Sequence, residues 1–135
     1  MSDARNTPIV LLVEDSEDDC YIFRYALKKA QPNARFVSAN DGVDALDYFQ
    51  NLNRFADRDR FPMPDLVFLD LKMPGLDGFD VLRWMQQRSL LTTVKVIVLS
   101  GSSEPQDVAL ARELGARDYV VKPISGKRLQ ELLNA

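Results

Sequence analysis

At 135 residues, with 46% hydrophobic and 27% charged residues, the chain has material for one compact core and too little for two ordinary domains. A net charge of −3 argues against nucleic-acid binding, which leaves a basic footprint, and no apolar run approaches the roughly 20 residues a bilayer-spanning helix needs. The absence of histidine removes imidazole metal ligands, Ser-His-Asp and Cys-His mechanisms and phosphohistidine chemistry, and the single cysteine, Cys20, removes an internal disulfide and a cysteine-based zinc cluster.

Met1–Asn6 lacks the apolar core of a secretion leader, so a cytoplasmic protein is expected. The first strand is the apolar run Ile9–Val13, which ends on Glu14 and Asp15. Ser16-Glu17-Asp18-Asp19 then carries helix-start chemistry, with acids suited to a first turn. Phe23, Ala26, Leu27 and Ala30 recur at helical spacing, with Cys20 near that apolar face, and Pro32 ends the helix. A short second strand, Phe36–Ala39, precedes a helix that starts at Asp41-Gly42 with Val43, Leu46 and Phe49 as its apolar stripe. Residues 51–64 read as irregular: Arg54, Arg58 and Arg60 alternate with Asp57 and Asp59, the pattern of a solvated loop of mixed sign.

The third strand, Leu66–Leu69, ends on Asp70 and is followed by a Pro74-Gly75 turn and a helix from about Phe79 to Arg88, with Val81, Leu82 and Met85 inward and Trp84 at the margin of the stripe. The fourth strand, Val94–Leu99, ends on Ser100; the next helix runs from about Glu104 to Leu114, and Gly115 suits the position just beyond it, where positive φ costs glycine little. The fifth strand, Tyr119–Val121, ends on Lys122-Pro123, and a last helix carries Leu129, Leu132 and Leu133.

Short Val-, Ile- and Phe-rich runs suit strands covered on both faces, and their alternation with helices gives an α/β domain with a parallel sheet and helices on both faces. Right-handed crossovers leave few topologies, of which the flavodoxin-like doubly wound order 2-1-3-4-5 is the expected one. In that order the first and third strands adjoin at the switch point, and sites lie outside the carboxyl ends of the strands. Glu14, Asp15, Asp70, Ser100 and Lys122 all stand at such ends and should converge.

Two carboxylates about 4 Å apart repel by roughly 4 kcal/mol at an effective dielectric near 20, and a bound hard cation is the usual resolution. Oxygen donors without histidine or thiolate favour Mg²⁺. A carboxylate beside such a metal is also a competent nucleophile on phosphorus, with a lysine and a hydroxyl to hold the remaining phosphoryl oxygens. Each feature alone has a plainer reading: Glu14-Asp15 as helix-capping acids, Ser100–Ser103 as an ordinary loop, Asp70 as a cap. Their joint placement at strand ends favours a site.

With these residues in view the chain resembles the receiver domain of two-component response regulators. The likeness rests on Leu12-Val13-Glu14-Asp15, on Pro64-Asp65 through Asp70-Leu71-Lys72-Met73-Pro74-Gly75-Leu76-Asp77-Gly78, on Leu99-Ser100-Gly101 and on Asp118 to Pro123, and it covers about residues 8 to 134. The resemblance implies that Asp70 is the phosphoacceptor, and that Asp15, Asp70 and the Lys72 backbone carbonyl ligate Mg²⁺ directly, with Glu14 acting through water. It makes Ser100 the hydroxyl that follows the phosphoryl group, Lys122 the site ammonium, Tyr119 the aromatic switch, and Pro123 a proline preceded by a cis peptide. Glu14 and Ser100 stand where Asp and Thr are commoner in the family. Lys72 occupies a position where the family tunes phosphoryl lifetime, and it either leans over the acidic pocket or faces solvent.

With the last helix ending at Ala135, the resemblance implies a single-domain regulator, a phosphoacceptor switch rather than an enzyme. It would accept a phosphoryl group from a sensor histidine kinase and act on an unidentified downstream protein. The 51–64 segment is similar to the extended loop of stand-alone regulators that partner phytochrome-like kinases. A homodimer through the fourth helix and fifth strand is a further family-based option. The alternatives are a small Mg²⁺-dependent phosphohydrolase with Asp70 as nucleophile, and a flavin protein, whose phosphate Glu14-Asp15 would repel.

Overall fold

A computed structural model describes residues 7–134; the leader reading of Met1–Asn6, and Ala135, lie outside the described residues. The elements are β1 (Ile9–Val13), α1 (Glu17–Ala30), β2 (Arg35–Ala39), α2 (Gly42–Gln50), β3 (Leu66–Leu69), α3 (Gly78–Gln87), β4 (Lys95–Ser100), α4 (Pro105–Glu113), β5 (Asp118–Val121) and α5 (Gly126–Leu133), with 3₁₀ turns at Asn53–Phe55 and Leu90–Thr92. The strands form one parallel sheet in the order β2-β1-β3-β4-β5, the flavodoxin-like arrangement expected.

Alternation along each strand divides the core into two layers. Val10, Leu12, Phe68, Ile97 and Leu99 face α1 and α5, where Phe23, Leu27, Leu129 and Leu132 meet them. Leu11, Val13, Val67, Leu69, Val96 and Val98 face the other way, against Ala45, Tyr48, Val81, Leu82, Met85 and Ala111. Helix starts follow the expected chemistry: the Ser16, Asp41, Asp77 and Ser125 side chains each accept a backbone N–H in the first turn, and Asp77 with Asp80 forms a capping box. Gly115 has φ +107, beyond the end of α4. Trp84 is half-buried and stacks on Phe49 at 6.1 Å, a packing role.

Three expectations need correction. Val43 is 57% exposed; the inward face of α2 is Gly42, Ala45, Tyr48 and Phe49. A Cβ on Gly42 would meet the Leu76 carbonyl oxygen at 2.4 Å, so this tight approach turns residue 42 inward and its neighbour out. The fifth strand, at a sheet edge, is covered only in part: Tyr119 packs against one core layer and Val120 against the other, but Val121 is 45% exposed.

The 51–64 segment, finally, is a packed element. Phe55 is fully buried against Tyr48 and Phe61, with ring centroids 4.9 and 5.1 Å away. The arginines there serve the fold: Arg58 donates to the Phe61 and Phe49 carbonyls, and Arg54 pairs with Asp44. The Ala39 carbonyl accepts from the Glu14 N–H, so the preceding carbonyl, Ser38, points off the open side of β2. Arg54 donates to it at 3.0 Å, and the Arg35 guanidinium donates to the Arg60 carbonyl. The loop thereby covers an edge that would otherwise invite strand pairing.

Candidate functional site

The ladder continues one residue past β1 and β3 and places two carboxylates side by side. The Glu14 N–H donates to Ala39, and the Asp70 N–H donates to Val13, so both acids hang from adjacent strand ends at the switch point. Gly78 permits the close return of the chain here: a Cβ on it would meet the Asp70 carbonyl oxygen at 2.4 Å. On the far side the Lys122 N–H donates to the Ser100 carbonyl, which sets lysine and serine beside one another, and the Lys122-Pro123 peptide is cis.

The side chains of Glu14, Asp15, Asp70 and Lys122 therefore meet, and Ser100 stands beside Lys122 through its backbone carbonyl. Carboxylate oxygens of Glu14, Asp15 and Asp70 lie within 4.8 Å of one another. Glu14 and Asp70 are 5% and 4% exposed, whereas Asp15 is exposed to solvent. Lys122 is the counter-charge: its Nζ lies 2.6 Å from Glu14 Oε1, 2.9 Å from Asp19 Oδ2 and 3.7 Å from Asp70 Oδ2. The Ser16 and Lys72 N–H groups donate to Glu14 and Asp70, at 3.2 and 3.3 Å. Burial raises the Glu14 pKa to about 7, against the pull of the Lys122 hydrogen bond and with help from the nearby Asp70 charge. For Lys122, burial works against the ammonium, but the Glu14 and Asp19 carboxylates outweigh it and its pKa is raised.

Ser100 is fully buried, and its Oγ accepts the Ser102 N–H at 3.2 Å. Tyr119 is half-buried against the α3–α4 layer and donates its hydroxyl to the Ser102 carbonyl at 2.8 Å. Lys72 is exposed at the rim with Nζ 3.7 Å from Asp107 on α4, so it neither reaches into the acids nor is without a partner. An open depression is lined by Glu14, Asp15, Asp70, Lys72, Ser102 and Lys122, among others.

Sequence reasoning missed Asp19 as part of this site. The signal was available: Asp19 sits three residues after the Ser16 cap, and helical side chains tilt toward the N-terminus, which aims it back over the strand ends. Asp107, held by the Ser102 hydroxyl at 2.9 Å, was legible only as a first-turn acid.

Residues 10–134 match the family model for the response regulator receiver domain. Among known proteins, the chain is 32% identical over 134 residues to the response regulator Rcp1 of Synechocystis, a match covering 98% of this chain and 89% of Rcp1. It spans 47–50% of the length of several transcriptional regulators that it also matches. The Mn²⁺-bound crystal structure of Rcp1 superposes with a TM-score of 0.76 at 30% identity, covering 93% of this chain and 88% of that one. The phosphorylated cyanobacterial phytochrome response regulator RcpA gives 0.79 at 28% identity, with 94% and 89% covered. RPA3017, a response regulator in red light signaling of R. palustris, gives 0.83 at 36% identity, with 93% and 90% covered. Among the described residues no helix is long and apolar enough to cross a membrane. An acidic, lysine-countered pocket at the switch point of a 2-1-3-4-5 sheet, joined to a family match over nearly the whole chain, places this protein among the receiver domains of two-component response regulators.

Proposed function

We propose that this chain is a single receiver unit that takes a phosphoryl group from a sensor histidine kinase onto Asp70 and thereby changes its affinity for a separate downstream protein. The observation that carries this reading is the Asp70 carboxylate: 4% exposed, at the end of β3, with Lys122 at 3.7 Å and two further acids beside it. Likeness to Rcp1, RcpA and RPA3017 supports a phytochrome-like kinase as the donor. The cytoplasm is where such a donor would be met.

The all-oxygen donor set of Glu14, Asp15 and Asp70 suits Mg²⁺, which Asp15, Asp70 and the Lys72 backbone carbonyl would hold with Glu14 beside them. When bound, the cation supplies charge neutralisation for the incoming phosphoryl group. An Asp70 carboxylate oxygen attacks phosphorus while the P–N bond to the donor histidine breaks, and the departing imidazole nitrogen takes a proton from solvent. Lys122, now divided among three carboxylates, pairs with a phosphoryl oxygen. The Ser100 hydroxyl turns toward the same group, and the Tyr119 ring, whose hydroxyl donates to the nearby Ser102 carbonyl, moves with it: a bistable element biased by new charge. The site thus serves switching rather than turnover, and nothing supports the phosphohydrolase alternative. The open β5 edge with exposed Val121 supports a homodimer through α4 and β5, for which concentration-dependent sedimentation is the test.

Incubation with Mg²⁺ and acetyl phosphate, or with a phosphorylated histidine kinase, should label the wild type on Asp70 and leave Asp70→Asn unlabelled. Label that survives the substitution overturns the assignment, and enzyme-like turnover of a simple phosphate ester would favour the hydrolase.

A further inference from the structure

The pocket has a second cation whose partner is not one of the site acids. Lys72, two residues past Asp70, extends to Asp107 in the first turn of α4, with Nζ 3.7 Å from Oδ2. The lysine side chain is 67% exposed, the aspartate 16%. Asp107 is fixed from its other side: the Ser102 hydroxyl donates to the same Oδ2 at 2.9 Å and itself accepts the Glu104 N–H at 3.2 Å. Ser102 is tied to the switch residues through its N–H to Ser100 and its carbonyl to Tyr119. A well-anchored carboxylate therefore holds an exposed ammonium at the rim of the acidic pocket.

We infer that Asp107 is a positioning residue which competes with the Asp70 phosphoryl group for Lys72 and so shortens the life of the phosphorylated state. The inference rests on Asp70 being the phosphoacceptor. A lysine is a flexible point charge on a four-carbon stem, and because the Lys72 backbone N–H donates to Asp70 Oδ1 at 3.3 Å, its ammonium can swing from Asp107 to a phosphoryl group on Asp70. Loss of the phosphoryl group is hydrolysis: a water oxygen attacks phosphorus in line, the bond from phosphorus to the Asp70 carboxylate oxygen breaks, and inorganic phosphate leaves as the water gives its proton to solvent. With Lys72 folded across the mouth, that approach is obstructed. With Lys72 on Asp107, it is open.

Asp107→Asn is the informative variant, because an amide oxygen still accepts from Ser102 while the charge that holds Lys72 is gone. After labelling on Asp70 and removal of the donor, the half-life of the label at fixed Mg²⁺ and ionic strength should lengthen about two- to fivefold, the scale of one exposed ion pair. In a Lys72→Ala background, Asp107→Asn should leave the half-life unchanged; this isolates the charge competition from any structural effect of the amide. An unchanged or shortened half-life in Asp107→Asn, or a lengthening that persists without Lys72, overturns the inference while leaving Asp70 as phosphoacceptor. A wild type that takes no label on Asp70 overturns both.

Discussion

The acidic pocket and the aromatic cluster beneath residues 51–64 are built on opposite principles. The pocket buries charge: Glu14 and Asp70 are almost inaccessible, and the Glu14 pKa is pushed to about 7. The cluster buries rings: Tyr48 and Phe55 are fully inaccessible, with Phe61 against both and the Arg54 guanidinium 4.0 Å from the Phe55 centroid. Its one buried hydroxyl, on Tyr48, donates to the Pro62 carbonyl at 2.7 Å. Like charge is thus concentrated where chemistry needs it, and the stabilising apolar contacts lie where it does not. The two regions should respond to substitution in opposite ways.

Asp70→Asn should abolish labelling altogether while the melting temperature stays level or rises, because a like charge beside Glu14 is removed and Lys122 keeps Glu14 and Asp19. Calorimetry beside a labelling assay reads both; a large fall in melting temperature would mean that the pocket carries the fold. Phe55→Ala is the mirror experiment. Losing a fully buried ring at the centre of the cluster should cost about 3–5 kcal/mol in denaturant unfolding. Labelling per folded molecule should be retained. If the cost is below about 1 kcal/mol, the 51–64 segment is a solvated loop after all.

The strands, their order and the convergence at their ends were legible because each rests on a local pattern or a chirality rule. Apolar runs bounded by Pro and Gly mark buried strands, and right-handed crossovers set the order. Asp70 and Lys122 stood out through their joint placement at strand ends that the sheet order brings together. What failed depended on contacts distant in sequence. Of the stripe Val43, Leu46 and Phe49, the last two do pack inward, but the approach of Gly42 to Leu76 leaves Val43 facing solvent. Phe55 sits among charges, and only its meeting with Tyr48 and Phe61 makes it core. The Lys72–Asp107 pair joins the end of β3 to α4, and no spacing rule connects residues 35 positions apart.

A ligand sharpens the same contrast. A cation held by the native pocket and not by the unfolded chain, as proposed for Mg²⁺, should stabilise the wild type by about 2.7 kcal/mol at a concentration a hundredfold above its Kd. Chelation should reverse the gain, and Asp70→Asn should diminish it. No shift at millimolar metal would count against the pocket as a cation site.

The smallest effect belongs to the buried Tyr48 hydroxyl. Tyr48→Phe keeps the ring and its packing but leaves the Pro62 carbonyl without its donor, at a cost of about 1–2 kcal/mol. Because the hydroxyl donates to Pro62 and, among the described residues, to no group of the pocket, this loss should add to that of metal removal, with the Mg²⁺-induced shift the same in Tyr48→Phe as in the wild type. A metal shift that shrinks with the hydroxyl would show that the loop senses the site. The two regions would then be coupled through α2, whose first turn approaches Leu76 in the loop after Asp70 and whose last turn carries Tyr48.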